Sequence, residues 1–499
     1  MHIHLFIKSL IGALYIAFLT GCASSEFSQI DHLIQEAKSR TDMESGTAVV
    51  VVKDDRIIHE AYFGYADIAA GRAVDDKTVF YIASTTKAFL AQAALLAEER
   101  GHISTETTLQ ELFPSLVFPL VDANNITVRH LLTHTSGIDN ESLTWAASYT
   151  GLHNDNSRHK MIAASYPSAN AQLGEFEYSN IGYNIMAVWF DDYYGKDWRK
   201  TLRDTLLKPL GMETTSGFIS VGEQSQWPLT EPYSYKVGGG KTPLYLRKTD
   251  NTMYSVGLIS TARDTAQFLL AQINHGAVNN RQVLSAAAIK KQRVKQIQVD
   301  GGYFDGYALG WMTAKHFGKA KRFHTGGFSG ASALISYMPE EKLGVIVLQN
   351  ENGLKANYLN GIIEDAVYGH LLGKTNTEIA VIVQPTIDQL ANRVVSANQK
   401  LFAAMQAREA ADWHLSLNQK DYIGTYTHPH SGTIQIELDA DNRFQIQWGL
   451  LKGTGYPHPN IDSAEAGLRP GSFDPIRFEV TESKVEYLEF NGVRFIKVH

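Results

Sequence analysis

Strand-length apolar runs occur at two widely separated places in this chain, and that separation constrains the fold more than any other feature. Residues 46–53, Gly46-Thr-Ala-Val-Val-Val-Val-Lys53, read as a buried strand. Asp54-Asp55 marks a hairpin turn, and residues 57–63 read as the return strand. The next comparable runs are residues 331–338 and 343–348, divided by the turn cluster Pro339-Glu340-Glu341-Lys342. One sheet must therefore be completed by distant segments, with the intervening chain folded out as helices and loops. That pattern implies an α+β domain, an antiparallel sheet flanked by helices with a helical subdomain.

The intervening helices are legible from their spacing. Residues 83–99 place Ala88, Phe89, Ala91, Ala94, Leu95 and Leu96 at helical intervals and end at Arg100-Gly101. Residues 131–212 alternate short helical patterns with loops. Residues 30–37, 261–274 and 359–372 read as further helices, the second capped by Ser260 or Thr261.

The pattern changes near Leu415. Residues 433–438, 444–448, 476–480, 485–490 and 493–498 alternate or cluster apolar residues at strand length, with Asp441-Asn442 and Asn491-Gly492 as turns. Residues 415–499 are expected to form a small all-β barrel or sandwich. Residues 376–414, largely helical in pattern, would link it to a domain spanning residues 27–375.

The first 22 residues differ again. One positive charge, Lys8, precedes an apolar run broken only by Gly12, and Leu19-Thr20-Gly21-Cys22 follows. This order reads as an export signal. Leu-x-Gly-Cys resembles a bacterial lipobox, which implies diacylation of Cys22 and a membrane-anchored lipoprotein of the cell envelope, periplasmic if Gram-negative. Cys22 is the only cysteine, so lipidation accounts for it without a disulfide. An ordinary cleaved signal is the alternative. Net charge is −7 with no basic stripe, which argues against a nucleic-acid partner.

Ser84-Thr-Thr-Lys87 sets a hydroxyl and an amine on one face of a helix start. A serine hydroxyl becomes a useful nucleophile when a neighbouring base takes its proton, and desolvation lowers a lysine enough to serve. S-x-x-K alone arises about twice by chance in a chain of this length. A second copy, Ser157-Arg-His-Lys160, sits in a polar stretch and reads as surface. Two later motifs give the first copy its weight: Tyr178-Ser-Asn180 and His324-Thr-Gly-Gly327.

Taken in order, the three motifs resemble the serine β-lactamase and penicillin-binding protein superfamily, in particular its class C-like branch. Phrases such as Ile126-Thr-Val-Arg-His-Leu-Leu-Thr-His-Thr-Ser-Gly137 and Lys208-Pro-Leu-Gly-Met212 extend the likeness. The resemblance implies Ser84 as acylated nucleophile, Lys87 as base or proton relay, and Tyr178 as proton exchanger with the leaving group. It implies Asn180 as the amide orienting Lys87 and substrate, and His324, Thr325, Gly326 and Gly327 as a substrate-binding edge. The oxyanion hole would be the backbone N–H groups of Ser84 and Gly327. Lysine usually heads the third motif in the β-lactamases; His324 here would contact a substrate carboxylate in a pH-dependent way. The C-terminal part resembles a lipocalin-like module.

These readings predict a serine hydrolase acting through an acyl-enzyme on peptide or ester substrates, D-residue peptides included, with no metal and no cofactor. A weak β-lactamase, a β-lactam-binding sensor and a non-catalytic scaffold are the alternatives, and a homo-oligomer is left open. His130 and His134, four apart, are expected to be structural rather than zinc ligands. Tyr358-Leu-Asn360 reads as core packing, His428-Pro-His430 as an exposed turn, and Asp264 as support for the start of its helix.

Overall fold

The computed structural model describes residues 26–234, 248–328 and 330–498. The export signal and Cys22 lie outside the described residues. The main sheet has eight strands. They are β1 (Thr47–Lys53), β2 (Arg56–Phe63), β3 (Ile297–Gln298), β4 (Gly306–Tyr307), β5 (Met312–His316), β6 (Lys319–Phe328), β7 (Ala331–Met338) and β8 (Leu343–Gln349). Their spatial order is β3-β4-β5-β6-β7-β8-β1-β2, so the early hairpin closes directly onto the late strands. Val50 pairs with Ile346, and every neighbouring pair in this sheet is antiparallel.

Both faces of the sheet are covered, which explains why β1 reads as unbroken valines rather than as an alternation. Ala48, Val50 and Val52 join one core with helices α2 (Thr86–Glu99), α3 (Ile181–Tyr194) and α4 (Ala262–Ile273). Val49 and Val51 point the other way, into a core shared with α1 (Ser28–Ser39), α5 (Leu354–Leu371) and the first half of α6 (Asn376–Glu409). Helix α2 is buried on every side from Thr86 to Ala97. It is the central helix of its layer, not an amphipathic surface helix.

Strand β6 carries no apolar run, and the sequence reading missed it. Its neighbours create it: β5 pairs with it up to Phe323, and β7 pairs with it up to Phe328. Residues 324–328 therefore keep β7 on one side and, among the described residues, have no strand on the other. This half-open edge places the third motif.

Residues 424–498 close into an eight-stranded barrel, with Thr425 opposite Val498 sealing first strand to last. Three of its strands escaped the sequence pattern: Gly424–His428, Leu451–Pro457 and Ser463–Arg469. Small residues build the last two for a steric reason. A Cβ at Gly453 would sit 2.0 Å from the Gly467 carbonyl oxygen, so the barrel wall closes there only with glycine. The barrel is filled by aromatic and aliphatic side chains, among them Tyr426, Phe444, Trp448, Phe478, Phe490 and Phe495.

One residue of the first domain completes that interior. Trp145, at the end of the short helix Glu141–Trp145, stacks on Trp448 at 5.1 Å and meets Phe490 edge-on at 5.3 Å. Tyr149 continues the contact, 4.8 Å from Trp145 and 5.1 Å from Phe328 at the end of β6. Trp145→Ala would leave a void between barrel and body. We expect a loss of about 3–5 kcal/mol in chemical denaturation followed by circular dichroism.

Candidate active site

The approach to Ser84 is a forced turn. Ala83 has φ +46, a left-handed conformation that costs an alanine about 1–2 kcal/mol. The turn Ala83–Thr85 then runs into α2. Packing holds it: the Thr85 hydroxyl donates to the Ile82 carbonyl at 2.7 Å, and Leu258 N–H donates to Thr86 Oγ1 at 3.1 Å. Strand β6 lies hard against this turn. A Cβ at Gly326 would stand 2.4 Å from the Ile82 oxygen and 3.2 Å from the Ser84 nitrogen, so glycine alone permits the approach.

Lys87 sits one helical turn from Ser84 and is fully buried. Its ammonium donates to Ser84 Oγ at 3.0 Å and to Asn180 Oδ1 at 2.7 Å. The rings of Tyr178 and Tyr183 lie 4.8 Å and 5.5 Å away, centre to nitrogen. Burial without a compensating carboxylate lowers its pKa to about 7. Tyr178, on the loop that enters α3, stands beside the Lys87 ammonium and the Ser84 hydroxyl. Crowding by the surrounding protein raises its phenol above the ordinary tyrosine value, although 40% of the residue's surface is exposed. The amine is thus tuned towards its unprotonated form and the phenol towards keeping its proton. Hydroxyl, amine and phenol converge.

The third motif divides in two. Thr325 is half-buried, and Gly327 is exposed, with no atom within 4 Å of the Cβ position it lacks. Its surface is open to a substrate. His324 departs from expectation. It is completely buried, its Nδ1–H donates to the Thr325 carbonyl at 2.7 Å, and its Nε2 accepts from the Tyr307 hydroxyl at 3.0 Å. Burial, with Lys87 nearby, pushes its pKa down to about 3, so it is neutral and both nitrogens are engaged. The carboxylate contact expected of this position has no free donor there.

The wall behind the site includes His134, which the sequence reading named as structural without placing it here. His134 is buried with φ +60 and accepts from Ser179 N–H at 3.3 Å. Its ring lies 4.4 Å from that of Tyr178 and 4.7 Å from that of Tyr307. His130 instead caps its own helix through Thr127, so the pair does not converge on a metal. Among the described residues no grouping of three His, Cys, Asp or Glu is arranged to hold one. Only the left-handed backbone of His134, common for Gly, Asn and His, hints at its special place, and that is invisible in sequence.

The remaining motifs lie elsewhere. Ser157 and Lys160 belong to the helix Asp155–Ala163, where Ser157 Oγ accepts from Asn154 N–H at 2.8 Å and Lys160 is exposed. Asn360 is buried against Gln349 and Ser332. Asp264 accepts from Thr214 N–H and the Thr215 hydroxyl, at 2.7 and 2.9 Å, tying its helix start to the distant segment at 214–215.

With the fold and this constellation in view, the class is plain: an α+β domain of the β-lactamase and transpeptidase type carrying a C-terminal barrel. The Beta-lactamase family model matches residues 33–368, and the chain belongs to that family. Protein flp of Staphylococcus aureus (strain NCTC 8325 / PS 47) is 24% identical over 341 residues, 67% of this chain and 65% of that protein. The chain therefore spans just under two thirds of that relative's length. The octameric penicillin-binding protein homologue from Pyrococcus abyssi superposes with a TM-score of 0.61 at 22% identity, over 94% of this chain and 99% of that one. The D-amino acid amidase from Ochrobactrum anthropi SV3 superposes with a TM-score of 0.55 at 18% identity, over 69% and 97%.

The two glycines of the third motif make a contrast that can be measured. Gly326→Ala drives β6 away from Ser84, and labelling by a fluorophosphonate is expected to slow by about 100-fold, as for loss of one oxyanion donor. Gly327→Ala meets no protein atom and is expected to keep the wild-type melting temperature.

Proposed function

We propose that the chain is a serine hydrolase that cleaves peptide or ester bonds through a covalent acyl-enzyme on Ser84. One observation carries the reading: a fully buried lysine amine, lowered to about 7, donating at 3.0 Å to a serine oxygen at the edge of the cleft. In its neutral form Lys87 takes the proton from Ser84 Oγ as that oxygen attacks the substrate carbonyl carbon. The negative charge moves to the carbonyl oxygen, facing the N–H groups of Ser84 and Gly327. Asn180 holds the amine in register. Tyr178 passes its own proton to the leaving nitrogen or oxygen and recovers one from Lys87. Water then enters by the reverse route, and Ser84 regains its proton.

Substrates containing D-residues are favoured within this reading, because a neighbour of the same fold is named as a D-amino acid amidase. β-Lactam turnover is expected to be slow, because the buried, neutral His324 offers no cation to a lactam carboxylate. Export and anchoring through diacylated Cys22 would bring the enzyme to cell-envelope peptides. An oligomer is compatible with the octameric neighbour.

Three measurements test the reading. Ser84→Ala is expected to abolish fluorophosphonate labelling; persistent labelling would remove the nucleophile assignment. A chromogenic ester is expected to give a burst followed by steady turnover. A single stoichiometric burst would mean a sensor, and neither phase a scaffold. Because the unprotonated amine is the active form, kcat/KM is expected to climb about tenfold per pH unit below 7 and to level above it. A profile flat from pH 5 to 8 would place the base elsewhere.

A further inference from the structure

Lys248 brings an unused amine to the far end of the free strand edge. Its Nζ is sealed from solvent and has no hydrogen-bond partner. It lies 2.7 Å from the centre of the Phe328 ring and 4.6 Å from that of Tyr81. The nearest acid in sequence, Asp250, is committed to Ser220, accepting from its N–H at 3.1 Å and its hydroxyl at 2.6 Å. Burial alone, with no opposing charge, pushes the Lys248 ammonium well below its usual range. An aromatic face returns only part of what drying an ammonium costs. Such a group is stabilised when an anion reaches it.

The rings that hold Lys248 belong to the catalytic segments. Tyr81 lies three residues before Ser84, and Phe328 directly follows Gly327. The two rings meet edge to face at 6.0 Å, and Tyr149 flanks Phe328 at 5.1 Å. Phe328 is half-buried, so part of this cluster reaches the surface at the end of the free edge. The position along β6 also sets the direction. Tyr178, the proton donor to the leaving group, stands at the His324 end, ring centres 6.1 Å apart. Phe328 is four residues further along an extended strand, roughly 13 Å away. Lys248 therefore lies on the acyl side of the bond to be cleaved.

We propose that Lys248 is a specificity residue that pairs with a carboxylate on the acyl group of the substrate, so that acidic acyl groups are preferred. The carboxylate passes the Phe328 ring and meets the ammonium in a dry aromatic cluster, where each charge stabilises the other. This supplies, at the opposite end of the free edge of β6, the cation that His324 does not provide. The inference rests on the acyl-enzyme reading and deepens it.

The test compares two chromogenic esters with five-carbon acyl chains, mono-p-nitrophenyl glutarate and p-nitrophenyl pentanoate. Wild-type kcat/KM is expected to favour the glutarate by about tenfold or more, the scale of one desolvated charge pair. Lys248→Met is expected to bring the ratio to about one, and Lys248→Arg to restore most of it. An unchanged ratio in Lys248→Met, or a wild-type preference for pentanoate, would overturn the proposal. Fluorophosphonate labelling of Ser84 in the same preparations separates the two readings. If labelling is present and the ratio does not respond, the anion site falls and the hydrolase stands. If labelling is absent, the hydrolase reading falls, and glutarate binding to Ser84→Ala by calorimetry decides the site. Binding weakened about tenfold by adding Lys248→Met supports the anion site; equal binding overturns it.

Discussion

An amine kept dry beside a hydroxyl is the interaction on which the rest of this structure turns. Lys87 is dry because α2 is buried from its first turn onward, and α2 is buried because it is the central helix between sheet and helical subdomain. The packing that stabilises the domain and the desolvation that favours the neutral amine are the same arrangement. Ser84 escapes burial only because Ala83 takes a left-handed turn that lifts the next residue to the cleft. The local strain is held in place by the surrounding layers, as expected where a strained backbone serves a site.

The sheet serves this helix start in a second way. Because β5 stops pairing at Phe323, β6 projects five residues beyond its neighbour and offers an edge where a substrate can lie. Gly326 brings that edge against the nitrogen of Ser84, and Gly327 leaves it uncovered. At its far end Phe328 touches Tyr149, which leans on Trp145 inside the barrel interface. The barrel is thereby coupled through three aromatic contacts to the rim of the site. Arg469 from the barrel wall adds to the same stack, its guanidinium 5.1 Å from Trp145 and 5.4 Å from Tyr149.

What the sequence disclosed followed its periodicities. Strands β1, β7 and β8 are buried on both faces and read as apolar runs; α2 reads as a helix from its apolar spacing. Ser84, Lys87, Tyr178 and Asn180 were legible as motifs, and their convergence needed only that α3 pack beside α2. Strand β6 was not legible, because Lys-Ala-Lys-Arg-Phe-His-Thr-Gly-Gly-Phe becomes a strand through its partners rather than its composition. The glycine-bearing barrel strands were lost for a related reason: closure demanded small residues where the pattern sought large ones. The state of His324 was equally hidden. Its letter suggests a titrating anchor, while its burial and its bond to Tyr307 make it a fixed, neutral part of the wall.

That wall also decides how much charge the site carries. Lys87, His134 and His324 are three nitrogen bases packed into one buried cluster, and burial disfavours the charged form of each. They act on one another as well: the charge of Lys87 lowers both histidines, and His324 lowers His134. Once one proton is present, a second meets both desolvation and repulsion. The lysine, with the highest affinity, takes that proton, and it releases it near pH 7. Above that point the neutral form of all three bases is favoured. Charge recognition of a substrate then falls to groups outside this cluster.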